Sequence, residues 1–566
     1  MKKRLATLAF ISILGLEGCG NYTQPSDKFR LQIVHINDTH SHIEPIPLTL
    51  KIDNNITGLY VGGYAKLAKY IKDIKKRDSH AIALHAGDAV QGTLYYILFK
   101  GKADVDALNQ MELDAMTLGN HEFDDGANIL ATDFVLRAKF PIISCDVDMQ
   151  NNPKLKGKVK PYLIKNIDGQ KIAIIGDTVD SSASSQPGPT IQFLNYLTTA
   201  KKYVKELKTK GINKIIFLTH IGYDTDKYLA TQIEDIDVIV GGHSHTLIGN
   251  FSNLGLESKG PYPTIVEHNN SRTLVLTAWK WGEVVGDINV TFDNKGVITS
   301  YTANPVILTG DKFFRKNNAG KMVEVDNNVK KEIEKQISKI KNLKMEQDDK
   351  SVDVIIDKYK KQVDKYMQLK IGEATQTLTN NRLPNDDGSD GSMVAPYVAL
   401  SIYEKVNKTY GCDFVLQNAG GVRKEIKQGP ITLGEVYNIL PFNNSIIIIK
   451  MKGKDILKMM KNLVKISLIE KKETGVYPYF AGAKMTLDID NDIISSFKIK
   501  NNSQWIEIEP DKEYSFATNS FIARGKGYYE EISKKAISKY DTGFIDTDIF
   551  IDYIKTHKIL KPLPNN

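Results

Sequence analysis

The sequence predicts a two-domain α/β protein, with a layered sheet-and-helix domain first and a mixed α/β domain second. Three observations predict it. Short Val/Ile/Leu-rich runs recur from Leu31 to about Asn304, each ending abruptly in polar residues. Segments with helical spacing lie between several of them. The 566 residues, 41% hydrophobic and 25% charged, exceed one ordinary core yet keep the composition of folded soluble protein.

The chain opens with Lys2-Lys3-Arg4, an apolar run from Leu5 to Leu16 and small residues around Cys19. That run is too short to span a bilayer and predicts an export signal over residues 1–19. Leu16-Glu17-Gly18-Cys19 resembles a bacterial lipoprotein cleavage box, with Cys19 the lipidated first residue of the mature chain, although Glu17 stands where a small or uncharged residue is usual. The expectation is an exported protein of the periplasm or cell envelope, anchored to the membrane through Cys19; ordinary signal cleavage is the alternative. Cys145 and Cys412 fall in different predicted domains, so no disulfide between them is expected. A net charge of +8 favours anionic ligands weakly and indicates no specific nucleic-acid partner.

The runs of the first domain are "LQIVHINDTH", "HAIALHAGD", "DAMTLGNHE", "PIISCDVD", "KIAIIGDT", "NKIIFLTHIG", "DVIVGGHSH" and "TLVLTAWKWG". Near-continuous apolar runs of this length suit strands buried on both faces. This domain is expected over residues 29–311. From Val329 the apolar residues Val329, Ile333, Ile337, Ile340 and Leu343 fall at helical spacing among lysines, a solvated basic face. Residues 312–351 are therefore expected to be a linker that includes a helix. A second periodic set from Val352 to Met367 opens the second domain, expected over 352–562, in which "CDFVLQ", "SIIIIKMKG", "KMTLDID" and "YSFATNSF" read as strands and Lys454 to Ile466 as a helix. "NDDGSDGS", residues 385–392, reads as a loop.

Chemistry collects at the strand ends of the first domain. Asp38 and His40 are one residue apart, so a persisting extended backbone would point both to one face. Asp88 follows "LHAG", Asn120 and His121 follow "TLG", His220 follows "IIFLT", and His243 and His245 follow "VIVGG". Five runs are thus expected to deliver carboxylate, amide and imidazole groups to one edge of one sheet. Gathering so many polar groups requires a partner charge. A pair of divalent ions supplies it, and mixed oxygen and nitrogen donors suit Mn, Zn, Fe or Co rather than Ca.

Asp38-Thr39-His40, Gly87-Asp88, Gly119-Asn120-His121-Glu122, Thr219-His220 and Gly241-Gly242-His243-Ser244-His245 resemble, in order, the motifs of the calcineurin-like metallophosphoesterases. The form "NHEFDDG" and the second domain resemble the bacterial 5′-nucleotidase and UDP-sugar hydrolase family. The resemblance implies a four-layer metallophosphoesterase sandwich joined by a helical linker to a mixed α/β substrate-binding domain. It implies one metal held by Asp38, His40, Asp88 and His245, and a second by Asp88, Asn120, His220 and His243, with Asp88 bridging. It further implies hydrolysis by metal-activated water, with His121 stabilising charge on the phosphoryl oxygens and Asp124 orienting its imidazole. His42 matches no role and reads as a loop residue, as do Glu122 and Asp125.

In the second domain, "NAGGVR" places Asn418 and Arg423, "LPFNN" places Phe442, and "ATNSFIARGKGYYE" places Phe521 where the resemblance implies nucleotide contacts, the two rings sandwiching the base. Arg382 in "TNNRLPNDD" stands as a phosphate-binding arginine. Where the family has an Asp for the ribose hydroxyls, this chain has Lys526, a donor only, so altered ribose recognition or preference for an extra phosphate is expected. The implied function is an exported nucleotide phosphohydrolase. The alternatives are a 2′,3′-cyclic-nucleotide phosphodiesterase with 3′-nucleotidase activity, a UDP-sugar or NAD hydrolase, and a catalytically silent nucleotide-binding lipoprotein.

Overall fold

The computed structural model describes residues 28–179, 187–317, 322–384, 391–442, 444–488, 493–501, 504–525 and 527–563. The export segment with Cys19, most of the 385–392 stretch and Lys526 lie outside the described residues. The chain divides into two units, one running to Gln91 and again over Phe99–Asp353, the other comprising Gly92–Leu98 and the chain from Val354 onward.

Unit 1 is built on twelve strands in two sheets: β1 Phe29–Ile36, β2 Ala81–His85, β3 Ala115–Thr117, β4 Ile142–Ile143, β5 Tyr162–Ile167, β6 Gln170–Thr178, β7 Ile215–His220, β8 Val238–Gly241, β9 Thr264–Glu267, β10 Arg272–Thr277, β11 Gly286–Phe292 and β12 Ile298–Ala303. One sheet has the order β12-β11-β1-β2-β3-β4, the other β9-β10-β8-β7-β6-β5. The central strands are parallel in both: β1 through β4 in the first, β6, β7, β8 and β10 in the second. Alternate side chains decide the layering. Ile33, Ile82, Leu84, Ile174, Ile216, Leu218, Val240, Leu276 and Val290 form one core between the sheets. Their neighbours Ala173, Ile175, Phe217, Ile239 and Val275 face outward against Val204 and Leu207 of the helix Tyr196–Thr209 and Leu229 of the helix Tyr223–Gln232. The helix Tyr64–Arg77 covers β2 on the other side, giving helix, sheet, sheet, helix. Each buried Ile or Leu of the central core contributes about 1.5–3 kcal/mol of transfer free energy.

Residues 312–351 do not form a free linker. The strand Ile307–Lys316 pairs antiparallel with Asn55–Val61 and parallel with Leu343–Met345. The helix Asn327–Ile337 starts where the Asp326 carboxylate accepts the N–H groups of Asn328 and Val329. It buries Ile333 and Ile337 against Leu50, Leu59, Val61 and Phe313. An isolated helix would leave those two isoleucines in water, which is why the segment folds into unit 1. The helical reading holds to Ile337, and Leu343 sits in a strand. The helix Lys350–Met367 follows.

In unit 2 a five-stranded sheet runs in the order Pro478–Ala481, Phe414–Asn418, Glu513–Asn519, Ser445–Lys452, Ser538–Ile545. Phe414–Asn418 and Glu513–Asn519 are parallel, and Ser445–Lys452 is antiparallel to the latter. The ends Asn418 and Asn519 and the start Ser445 therefore meet at one edge. Among the described residues no helix is long and apolar enough to cross a membrane.

Candidate active site

Strand geometry delivers the polar groups of unit 1, but from two sheets rather than one. β1, β2 and β3 lead into Asp38-His40, Asp88 and Asn120-His121; β7 and β8, in the other sheet, lead into His220 and His243-His245. The groups meet because both sheets end their parallel strands on the same side of the shared core. The route to Asp38 and His40 also differs from the extended one. β1 stops at Ile36, and Asp38 and His40 take φ of 49° and 47°. Asp88, His243 and His245 are left-handed too, at 53°, 76° and 48°. Such backbone costs an L-residue about 1–2 kcal/mol. Cross-links offset it: Asp38 N–H donates to Gly87 O (3.0 Å), His40 N–H to Asp88 O (3.0 Å) and Trp281 N–H to Asp38 O (2.7 Å).

The side chains gather around two foci. Ligand atoms of Asp38, His40 and His245 lie within 4.8 Å of one another, and so do those of Asp88, His220 and His243. His40 Nε2 faces His245 Nε2 at 2.9 Å, and His245 Nε2 is 3.3 Å from Asp38 Oδ1. His220 Nε2 is 2.9 Å from Asp88 Oδ2, and His243 Nδ1 is 2.9 Å from Asn120 Oδ1. His40 Nε2 reaches Asp88 Oδ2 at 3.7 Å, so Asp88 borders both foci.

These residues fit a divalent pair. His220 Nδ1 faces Ala86 O at 2.7 Å and His40 Nδ1 faces Val90 O at 3.2 Å. With Nδ1 of each directed to a backbone carbonyl, both Nε2 atoms are aimed inward, where an ion would displace any second proton. His220 Nε2 is buried and faces the Asp88 carboxylate at 2.9 Å without a well-aligned hydrogen bond. Burial opposes ionisation, yet the facing histidines hold Asp38 down at about 2 and Asp88 well below the carboxylate range. In return the field of Asp88 and Asp38 overcomes burial and lifts His220 to about 10. Two buried carboxylates thus demand positive charge at this point.

His121 and Asp124 lie beside them. His121 Nδ1 is 2.7 Å from Asp124 Oδ2, and the His121 ring stands edge-on to that of His40 at 5.2 Å. Burial lowers the imidazole, but Asp88 and Asp124 prevail and raise it to about 9, so it is cationic at neutral pH. His42 is apart from this chemistry: its buried ring stacks on Trp281 at 4.5 Å, and burial lowers it to about 3.

Two supporting carboxylates escaped the sequence reading. Glu122 is a staple rather than a turn former: its oxygens accept N–H groups from Gly119 (2.5 Å), Asp88 (3.0 Å) and Ala89 (2.8 Å), fastening the Asp88 loop to the Asn120 loop. The two loops are so close that a Cβ on Gly119 would overlap Asp88 Oδ1. In the other sheet Asp226 spans two strand ends by one hydrogen bond and close packing: it accepts the Thr219 hydroxyl at 2.6 Å, while its Oδ2 packs so tightly on Gly241 that a Cβ there would overlap it. Asp125 pairs with Lys100.

In unit 2, Asn418 accepts the Asn519 side-chain N–H (2.9 Å), which ties the ends of adjacent parallel strands. The Arg423 guanidinium lies 5.7 Å from the Phe442 ring centre. Burial and the Arg382 charge lower Arg423, which sets the two arginines near each other. Phe521, two residues beyond Asn519, is 53% exposed and Phe442 48%, and the Phe521 ring stands edge-on to Tyr529 at 6.2 Å.

Comparison with known proteins accounts for both units. Residues 31–247 match the calcineurin-like phosphoesterase family and residues 370–534 the 5′-nucleotidase C-terminal domain. The NAD 5′-nucleotidase of Haemophilus influenzae is 34% identical over 93% of this chain and 90% of its own length. The solved structure of the Haemophilus influenzae NAD nucleotidase superposes with a TM-score of 0.79 at 33% identity, covering 95% of this chain and 98% of that one. The structure of the 5′-nucleotidase precursor from Thermus thermophilus gives a TM-score of 0.58 at 33% identity and the same coverage. A dinuclear metal centre is the common apparatus of the calcineurin-like enzymes, and the two foci have the donors for one. The chain belongs to the 5′-nucleotidase family of metal-dependent, calcineurin-like phosphoesterases.

Proposed function

We propose that the protein is an exported phosphohydrolase that removes phosphate from nucleotides as a 5′-nucleotidase, releasing nucleoside for uptake. The observation that carries the reading is the pairing of two His/Asp foci, built on the buried Asp38, His40, Asp88 and His220, with an adjacent His121–Asp124 couple. Asp38, His40, Asp88 and His245 would hold one ion, and Asp88, Asn120, His220 and His243 the other. Two divalent ions bound there supply Lewis acidity toward the phosphoryl oxygens and lower the pKa of water. His121, its imidazole raised by Asp88 and Asp124, donates a hydrogen bond from Nε2 to a phosphoryl oxygen and offsets the charge that develops on it. Asn418 and Arg423 contact the nucleotide, Arg382 a phosphate, and the exposed rings of Phe442 and Phe521 stack the base. The Lys2-Lys3-Arg4 cluster and apolar run support export, with Cys19 as the lipid anchor to the cell envelope.

The name of the Haemophilus influenzae relative favours one second reading, cleavage of the NAD pyrophosphate by the same centre. A panel of AMP, ADP, 3′-AMP, 2′,3′-cyclic AMP, UDP-glucose and NAD separates the readings. Fastest phosphate release from AMP supports the first, and splitting of NAD into two mononucleotides supports the second. EDTA should abolish turnover and Mn or Co restore it. No hydrolysis of any member under restored metal would mean a silent nucleotide-binding protein.

A further inference from the structure

Unit 1 holds another buried acidic cluster, built by the turn after β4 and the end of β6. Ligand atoms of Cys145, Asp146 and Asp177 lie within 4.8 Å of one another. Asp146 is 1% exposed, Asp177 0% and Cys145 5%. Asp146 is partly satisfied, since its Oδ1 accepts the Ser144 hydroxyl (2.9 Å) and both its oxygens face Thr178 N–H (3.1 and 3.2 Å). Asp177 Oδ1 shares that same N–H at 3.1 Å. Asp177 Oδ2 is buried with no hydrogen-bond partner. Among the described residues neither carboxylate has an ion pair with a lysine, arginine or histidine, and the further charge felt by Asp177 is another carboxylate, Asp226. Two facing carboxylates without a counter-charge are not stable in a protein interior.

We propose that Cys145 Sγ and the Asp146 and Asp177 carboxylates bind a third metal ion, separate from the dinuclear centre and of the zinc class. A proton between the carboxylates would answer their repulsion, and the thiol would then keep only its Thr199 hydrogen bond and its packing in the core. One sulfur and two carboxylate donors suit Zn²⁺ and do not suit Mg²⁺ or Ca²⁺, which take oxygen. Burial holds the Cys145 thiol protonated in the free site, so binding releases that proton to solvent and weakens as pH falls. The ion would brace the catalytic edge. Thr178, whose N–H faces both carboxylates, donates its hydroxyl to Leu118 O at 2.7 Å, and Leu118 opens the turn to Gly119-Asn120.

The test uses the full chain, stripped by chelator and reloaded with Co²⁺. The donors proposed for the dinuclear centre are oxygen and nitrogen, so a thiolate-to-cobalt charge-transfer band in the near ultraviolet reports a sulfur ligand. The band is expected in the unaltered protein, in Cys412→Ser and in His220→Ala, and its loss is expected in Cys145→Ser. Asp177→Asn should lower bound metal by one ion per chain in elemental analysis. Absence of the band from the unaltered protein, or its persistence in Cys145→Ser, would overturn the proposal. Metal content unchanged in Asp177→Asn would also overturn it and leave the carboxylates sharing a proton.

Discussion

Replacing Glu122 tests whether the metal edge depends on the staple beneath it. The carboxylate accepts three backbone N–H groups, two from the Asp88 loop and one from Gly119. Burial and the Asp88 charge push its carboxyl up to about 7, and the amide donors pull against them in favour of the anion. Glu122→Ala removes both acceptor oxygens and leaves three buried donors unpaired, each worth about 1–3 kcal/mol. Glu122→Gln keeps one oxygen and turns an NH₂ toward at least one of those donors, so about 1–3 kcal/mol is lost instead. Neither change touches a proposed ligand, so the loss should appear as loosened ligand placement. Metal affinity is then expected to fall by about 10-fold in Glu122→Gln and about 100-fold in Glu122→Ala. The kcat at saturating metal should stay within a few-fold, because His121 and Asp124 are intact. The assay is Mn²⁺ titration of AMP hydrolysis in metal-stripped protein, with bound metal read by elemental analysis. An alanine variant that binds metal like the parent would refute the reasoning, as would equal losses in the two variants.

Asp124→Asn should leave metal content unchanged and lower the His121 pKa from about 9, since it removes one of the three carboxylates that raise it, with Asp88 and Glu122 remaining. A charge-assisted hydrogen bond of about 1.5–3 kcal/mol corresponds to about 1–2 pKa units, so the basic limb of the kcat profile should move acidward by that amount. His121→Ala should reduce turnover by about 10²–10⁴-fold with metal content near normal. Asn120→Ala should instead weaken metal binding, and elemental analysis of both variants separates the roles. Phe442→Ala or Phe521→Ala should raise KM for AMP by about 5- to 150-fold, from about 1–3 kcal/mol of stacking, while hydrolysis of a phosphate ester without a base is unaltered.

The sequence made the donors legible because each stands directly after an apolar run, where a strand must end and a loop begin. It did not reveal which sheet each run joins. β1 to β4 and β6 to β8 have the same local pattern, and only long-range pairing separates Asp38, Asp88 and Asn120 from His220, His243 and His245. The left-handed turn at Asp38 and His40 was hidden for a related reason: it is held by Gly87, Asp88 and Trp281, far along the chain, and not by a local glycine. Residues 329–337 were legible as a helix from their period, whereas their packing on Leu50, Leu59 and Phe313 was not.

Glu122 and Asp226 show why the supporting groups were the hardest to read. An acid in a turn, or in the first turn of a helix, has a sufficient local explanation in solvation or the helix dipole. What sets these two apart is that their partners are backbone N–H, hydroxyl and glycine on neighbouring strand ends. Each sheet contributes one such acid, Glu122 across β2 and β3 and Asp226 across β7 and β8. Neither faces a metal focus as a ligand, yet each fixes the spacing between two loops that do. The two foci then share Asp88 across the junction of the sheets, so an error in either pair of loops changes the separation of both foci. A centre assembled from two sheets therefore needs a fastening within each, and the buried core between β1–β4 and β6–β10 holds the two fastened halves in register.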